Sequence, residues 1–300
     1  MRMVENTFLA LKKAIEQREY AVAGLRPGTA SQLYFVDQKN PQKTPLAVLY
    51  LHGFSASPEE VRPLPDQLAA ALGANLYMPR LTGHGLNGEA LALAKPAQWY
   101  ANVKAAFKVS SQLGDRVIVV GTSTGAPLAL WLALQKPKQL AALLLISPNF
   151  ATRDARGEWL RKRWGRLLFR AVRGPFHGIE PLSAGHSRYW TTFFPVIAVR
   201  NLLQLVADVR GSDFSGIKLP TFIAYSKADK VVNAEWIEQK FDELGAKLKR
   251  LLPVENSTDP LQHVIVGDIR SANTTGQVVD EILEFLRQAG IAAPASEAKA

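Results

Sequence analysis

A serine with glycine two residues away on each side, Gly121-Thr122-Ser123-Thr124-Gly125, follows the apolar run RVIVV and precedes the helix-forming stretch APLALWLAL. A serine on so tight a strand-to-helix turn is driven toward strained φ/ψ, and its flanking positions must lack a Cβ because strand and helix nearly touch. Its hydroxyl is a poor nucleophile near neutral pH and needs a base within hydrogen-bond reach, itself oriented by a third group. Of five histidines, only His263 follows the late strands, in the loop ENSTDPLQHVIV. The orienting carboxylate belongs at the C-terminal end of the preceding strand, where parallel-sheet sites collect. Asp229, four residues beyond Tyr225, fits that place, with Asp213, Asp259 and Asp268 as competitors; Asp268 reads as a cap of the closing helix.

Acyl transfer also needs donors aimed at the developing oxyanion. The N–H of Thr124 is one; the second is the N–H of Phe54 in Leu51-His52-Gly53-Phe54-Ser55, where Gly53 lets the backbone turn. His52 reads as a buttress of that loop rather than a second base.

Elements able to position these groups recur along the chain. Strands are predicted at Ser31 to Val36, Leu46 to Leu51, Asn75 to Met78, Arg116 to Val120, Ala141 to Ile146, Thr221 to Tyr225 and Lys249 to Leu252. Helical periodicity runs over Val61 to Leu72, Pro96 to Leu113, Ala126 to Leu134, Ala234 to Leu244 and Gly276 to Gln288. Such alternation denotes a mostly parallel sheet covered on both faces. The predicted organisation is an N-terminal helical extension over 1–30, a core over 31–149 and 212–290, an insertion over 150–211, and a disordered tail over 291–300.

The chain resembles the α/β-hydrolases, in particular bacterial carboxylesterases and monoacylglycerol lipases. The likeness rests on LHGFSASPEEVRPL, MPRLTGHG, VVGTSTGAPLAL, the Asp229 loop and HVIVGD, in the order Ser, Asp, His. It implies an α/β-hydrolase fold with a helical cap formed by the insertion, Ser123, Asp229 and His263 as catalytic residues, Phe54 and Thr124 as the oxyanion hole, and a structural His84. Leu261-Gln262 stands where such relatives often carry glycine, and Ala126 where many carry a second glycine after the serine motif. The activity implied is hydrolysis of carboxylic esters, of short to medium acyl chain or monoacylglycerol-like, through an acyl-enzyme and without metal or cofactor. A thioesterase or acyltransferase, or a non-catalytic module binding an apolar ligand or membrane, is the alternative on the same fold.

The insertion is rich in aromatic residues, of which Trp159, Trp164, Trp190 and Phe193 are the candidates for lining an acyl site, while others fasten the cap. It is also basic: Arg153 to Arg173 holds seven Arg and one Lys against Asp154 and Glu158, a concentrated share of the net charge of +10. That concentration allows a peripheral membrane contact and speaks against a nucleic-acid partner, which would need basic groups spread over a face. With no Cys, thiolate metal sites and a cysteine nucleophile are excluded. The amino terminus breaks every apolar run with Glu5, Asn6, Lys12, Lys13 or Glu16, so no signal core forms and a cytoplasmic location is expected.

Overall fold

The computed structural model describes residues 2–154 and 175–292. Seven strands form one sheet in the order β1-β3-β2-β4-β5-β8-β9, parallel except for β1 against β3. They span Gln32–Tyr34 (β1), Thr44–Leu51 (β2), Asn75–Met78 (β3), Gly114–Thr122 (β4), Leu140–Ile146 (β5), Thr221–Tyr225 (β8) and Lys249–Pro253 (β9). A separate antiparallel pair, Phe176–Gly178 (β6) with Phe193–Pro195 (β7), lies in the inserted region. The helices are Arg2–Tyr20 (α1), Leu64–Ala71 (α2), Gly88–Leu93 (α3), Pro96–Leu113 (α4), Gly125–Leu134 (α5), Ala184–Tyr189 (α6), Val196–Arg210 (α7), Ala234–Glu243 (α8) and Ala272–Gln288 (α9).

The central strands are apolar on both faces because both faces are covered. Leu49, Leu51, Val117, Val119, Leu143 and Leu145 pack with α1, α4, α5, α7 and α8, while Val48, Tyr50, Ile118, Val120, Leu144 and Ile146 pack with α2 and α9. Helix α5 is almost wholly buried, which is why it carries no charged residue. Helix α7 falls within the inserted stretch, yet buries Leu205, Val206 and Val209 in the same cluster as β4 and β5.

Sheet order places the site. From β2 the chain steps outward to β3 and then returns to the other side of β2 to build β4. The order therefore reverses between β2 and β4, and the loops leaving their C-terminal ends face one another across the crevice. Those loops carry His52-Gly53-Phe54 and Ser123.

Boundaries differ from expectation for local reasons. Strand β1 stops at Tyr34 because the Val36 N–H goes to Asn75 Oδ1 at 3.0 Å instead of a ladder carbonyl. Helix α2 starts after Pro63 rather than at Val61. Helix α9 begins four residues before Gly276, with Ser271 at its N-cap, so Asp268 is not the cap. Of the expected tail, Ile291 and Ala292 pack against the α9 side of the sheet, and 293–300 lie outside the described residues. Among the described residues no helix is long and apolar enough to cross a membrane.

Candidate active site

Ser123 sits between β4 and α5 at φ 50°. That region costs a non-glycine residue about 1–3 kcal/mol and persists only where neighbours over-determine it. Here they do: the Ser123 N–H donates to Ile146 O at 2.8 Å, and its carbonyl accepts the N–H groups of Asn149 at 3.1 Å and Ala126 at 3.2 Å. The flanking glycines are a packing requirement, since a Cβ on Gly125 would lie 1.9 Å from Leu51 O and one on Gly121 2.6 Å from Gly125 O. Ala126, by contrast, fits fully buried within α5.

His263 reaches this serine from the loop after β9, its Nε2 lying 2.9 Å from Ser123 Oγ. Its Nδ1 lies 2.8 Å from Asp229 Oδ2. With the proton on Nδ1 and shared with Asp229, Nε2 is free to accept from the hydroxyl. Asp229 is held in turn by the N–H groups of Val231 and Val232, which donate to Oδ1 at 2.7 and 2.8 Å. Burial alone would lower the imidazole pKa, but Asp229 in contact, with Glu60 and Asp259 nearby, holds it above the ordinary 6.5.

Two of the competing aspartates lie elsewhere. Asp213 accepts from Ser215 at the surface, and the N–H of Asp268 donates to Arg62 O at 2.8 Å. Asp259 has a different part, which sequence reasoning missed. Its Oδ2 accepts the backbone N–H groups of His263 at 3.0 Å and Val264 at 2.9 Å, Oδ1 accepts that of Leu261 at 3.1 Å, and the Arg270 guanidinium closes on the same carboxylate. Burial would raise its pKa; these donors and Arg270 hold it below the usual carboxylate value. Gln262, where relatives often have glycine, adopts φ 52° and is held by side-chain bonds to Ser257 O at 2.7 Å and Asp259 O at 2.9 Å. The spacing Asp-Pro-Leu-Gln-His was the available signal, since an Asp commonly bonds backbone N–H groups a few residues on.

The loop after β2 closes the other side. A Cβ on Gly53 would lie 3.2 Å from Ser123 Cβ, so this backbone runs directly against the nucleophile candidate. Among the described residues, the N–H groups of Phe54 and Thr124 donate to no oxygen. Two free donors beside one hydroxyl, with the positive end of α5, suit a growing negative charge. His52 bonds Gly53 O through Nδ1 at 2.8 Å and accepts the Leu81 N–H through Nε2 at 3.1 Å. Burial pushes its pKa down to about 4, so it is a neutral brace. His84 is buried with its ring edge-on to His52 at 4.9 Å.

The aromatic candidates divide. Trp159 and Trp164 lie outside the described residues. The ring of Trp190 packs edge-on to His186 at 5.0 Å. Phe193 is 61% exposed and stacks on Phe176, whereas Phe194, 2% exposed on the opposite face of β7, meets the Phe54 ring at 5.5 Å. Trp190 and Phe193 border a surface groove of about 530 Å³ whose lining includes Arg26 and Phe176 but neither Ser123 nor His263. Thus it is Phe194, not Phe193, that the fold brings to the loop beside the serine. Among the described residues no cluster of three or more His, Asp or Glu could hold a metal ion.

Residues 48–265 match the model of the alpha/beta hydrolase family. The chain is 36% identical over 241 residues to a thermostable monoacylglycerol lipase of Bacillus sp. (strain H-257), covering 80% of this chain and 90% of that one. Together these place the chain in the α/β-hydrolase family. Solved structures share the fold: one from work on LipS and LipT, two metagenome-derived lipolytic enzymes, has a TM-score of 0.73 at 24% identity, covering 88% of this chain and 99% of that one. A soluble variant of monoglyceride lipase from Saccharomyces cerevisiae has a TM-score of 0.66 at 12% identity, covering 88% and 92%.

Proposed function

We propose that this protein is a serine hydrolase that cleaves carboxylic esters of short to medium acyl chain, monoacylglycerols among them, through an acyl-enzyme on Ser123. Ester hydrolysis follows from kinship with a monoacylglycerol lipase over most of both chains. The assignment of roles is carried by one observation: a single imidazole spans Ser123 Oγ at 2.9 Å and Asp229 Oδ2 at 2.8 Å.

In this scheme Oγ bonds to the ester carbonyl carbon as its proton passes to His263 Nε2. Asp229 stabilises the imidazolium, and the N–H groups of Phe54 and Thr124 receive the oxyanion. Collapse breaks the bond to the alcohol oxygen, which takes the proton from Nε2. Water then attacks the acyl-enzyme with His263 as base, releasing the carboxylic acid and restoring the serine proton. An apolar acyl chain fits the aromatic side that Phe54 and Phe194 present.

The test is labelling with a fluorophosphonate followed by intact mass. A single adduct is expected, absent in Ser123→Ala, with turnover of nitrophenyl esters greatest at short to medium chain length. An adduct that persists in Ser123→Ala, or no ester turnover by the labelled protein, overturns the assignment.

A further inference from the structure

Acids are seldom fully buried unless something holds them. Glu60, in the turn after the Gly53 loop, is 2% exposed. Its Oε2 accepts the Gly53 N–H at 2.6 Å and the Tyr50 hydroxyl at 2.9 Å. The Gly53 N–H immediately precedes the Phe54 peptide that offers the free donor. A Cβ on Gly53 would lie 2.6 Å from Glu60 Oε1 and 3.2 Å from Ser123 Cβ, so the carboxyl and the serine close on one face of the same glycine.

The same segment braces the loop carrying His263. A Cβ on Gly267 would lie 2.6 Å from Val61 Cα and 3.1 Å from Glu60 O, and Arg62 O accepts the Asp268 N–H at 2.8 Å. Glu60 therefore stands where the two loops that flank Ser123 meet.

We infer that Glu60 is a positioning residue for ester hydrolysis: its carboxyl aims the Gly53-Phe54 turn at the acyl oxygen and biases the charge of His263. The inference rests on the roles assigned to Ser123, His263 and the Phe54 N–H above. The groups facing the carboxyl are the Tyr50 hydroxyl from β2, the Gly53 N–H, the His263 imidazole, and the Arg270 guanidinium from the turn before α9. Burial outweighs the hydrogen bonds from Gly53 and Tyr50 and the attraction of His263 and Arg270, pushing the Glu60 pKa up to about 7. Ionised, Glu60 draws the proton onto His263 and opposes the oxyanion; neutral, it does neither. A charge thus appears across neutral pH one residue from an oxyanion donor.

Glu60→Gln keeps an oxygen able to accept from Gly53 and removes the charge, whereas Glu60→Ala removes both. Wild type, both variants and Ser123→Ala are assayed on p-nitrophenyl butyrate from about pH 5 to 9. In Glu60→Gln, plateau kcat stays within about tenfold, and the acid limb of kcat/KM moves down by about half a pH unit or more, as expected on losing a charge that favours the protonated imidazole. In Glu60→Ala, plateau kcat falls about 10- to 100-fold at nearly unchanged KM, part of the loss that follows removal of an oxyanion donor, and Gln restores it.

An acid limb in Glu60→Gln that superimposes on wild type, or wild-type kcat in Glu60→Ala, overturns the inference. Circular dichroism establishes that each variant is folded, and should Glu60→Ala not fold, the acid limb of Glu60→Gln decides. Activity surviving in Ser123→Ala removes the underlying assignment; with that control inactive, the Glu60 outcomes bear on Glu60 alone.

Discussion

The Asp259 carboxylate accepts the backbone N–H of His263 at 3.0 Å, while the ring of the same histidine is held by Asp229. One acid sets where the base stands and the other sets how its ring points. Arg270 closes on Asp259, and its Nη1 lies 3.2 Å from His186 Nδ1 on α6, so this pair also ties the base loop to the inserted region.

Asp259→Asn leaves Arg270 as a buried, uncompensated cation, and removing one partner of such a pair costs about 3–5 kcal/mol. Urea denaturation at neutral pH is expected to show a loss of that size. Turnover of nitrophenyl esters by the folded variant should fall more than KM rises, because the binding surface is intact and the base is displaced. A stability change under about 1 kcal/mol would show that Asp259 is not the hub of this loop.

His263 must be neutral to accept the serine proton, and Asp229 holds its pKa above 6.5. The acid limb of kcat/KM is therefore expected above that value, with activity falling as pH drops through it. The folded imidazole binds its proton more tightly than the unfolded one. This group thus contributes stability that is fully present below about pH 6.5 and lost as pH rises through the folded pKa. Asp229→Asn should lower the limb and cut turnover by about 10⁴-fold. A pH–rate profile of both proteins checks position and depth together.

Strain at Ser123 predicts an order among inactive variants. At φ 50° a Cβ costs about 1–2 kcal/mol, whereas glycine gives back about 0.5–1 kcal/mol through its freer unfolded chain. Ser123→Gly is expected to be more stable than Ser123→Ala by about 0.5–1 kcal/mol, as read from paired urea curves. The reverse order would mean that the turn relaxes once the hydroxyl is gone.

On β7, neighbouring phenylalanines face opposite ways. Phe193→Ala should leave ester kinetics within about twofold and stability within about 1 kcal/mol, the scale of one exposed aromatic stack. Phe194→Leu should lower kcat/KM for longer acyl esters several-fold more than for acetate esters, since its ring meets Phe54 beside the serine. Equal effects of the two substitutions across a chain-length series would count against the acyl side proposed here.

Local patterning carried much of the architecture. Strands β3 and β8 and helix α4 lie where apolar spacing puts them, because a β/α alternation writes each layer as a short run of its own period. The glycines around Ser123 were legible for a similar reason, as close approach of β4 and α5 leaves a mark within five residues. Long-range choices were not. Strand position pointed to Asp229 for the ring and the short spacing of Asp259 to the backbone, but only the pairing of β8 with β9 and the turn at Gln262 bring both carboxylates onto one histidine. Phe193 and Phe194 are identical letters separated by the phase of a three-residue strand. Glu60 reads as one of two adjacent acids until the fold buries it against Gly53. Sequence by itself determined the repeating elements and the kinds of group available for chemistry, since both depend on contacts a few residues apart. Tertiary structure alone decided which group faces which, because hydrogen-bond direction and burial arise only when distant segments pack.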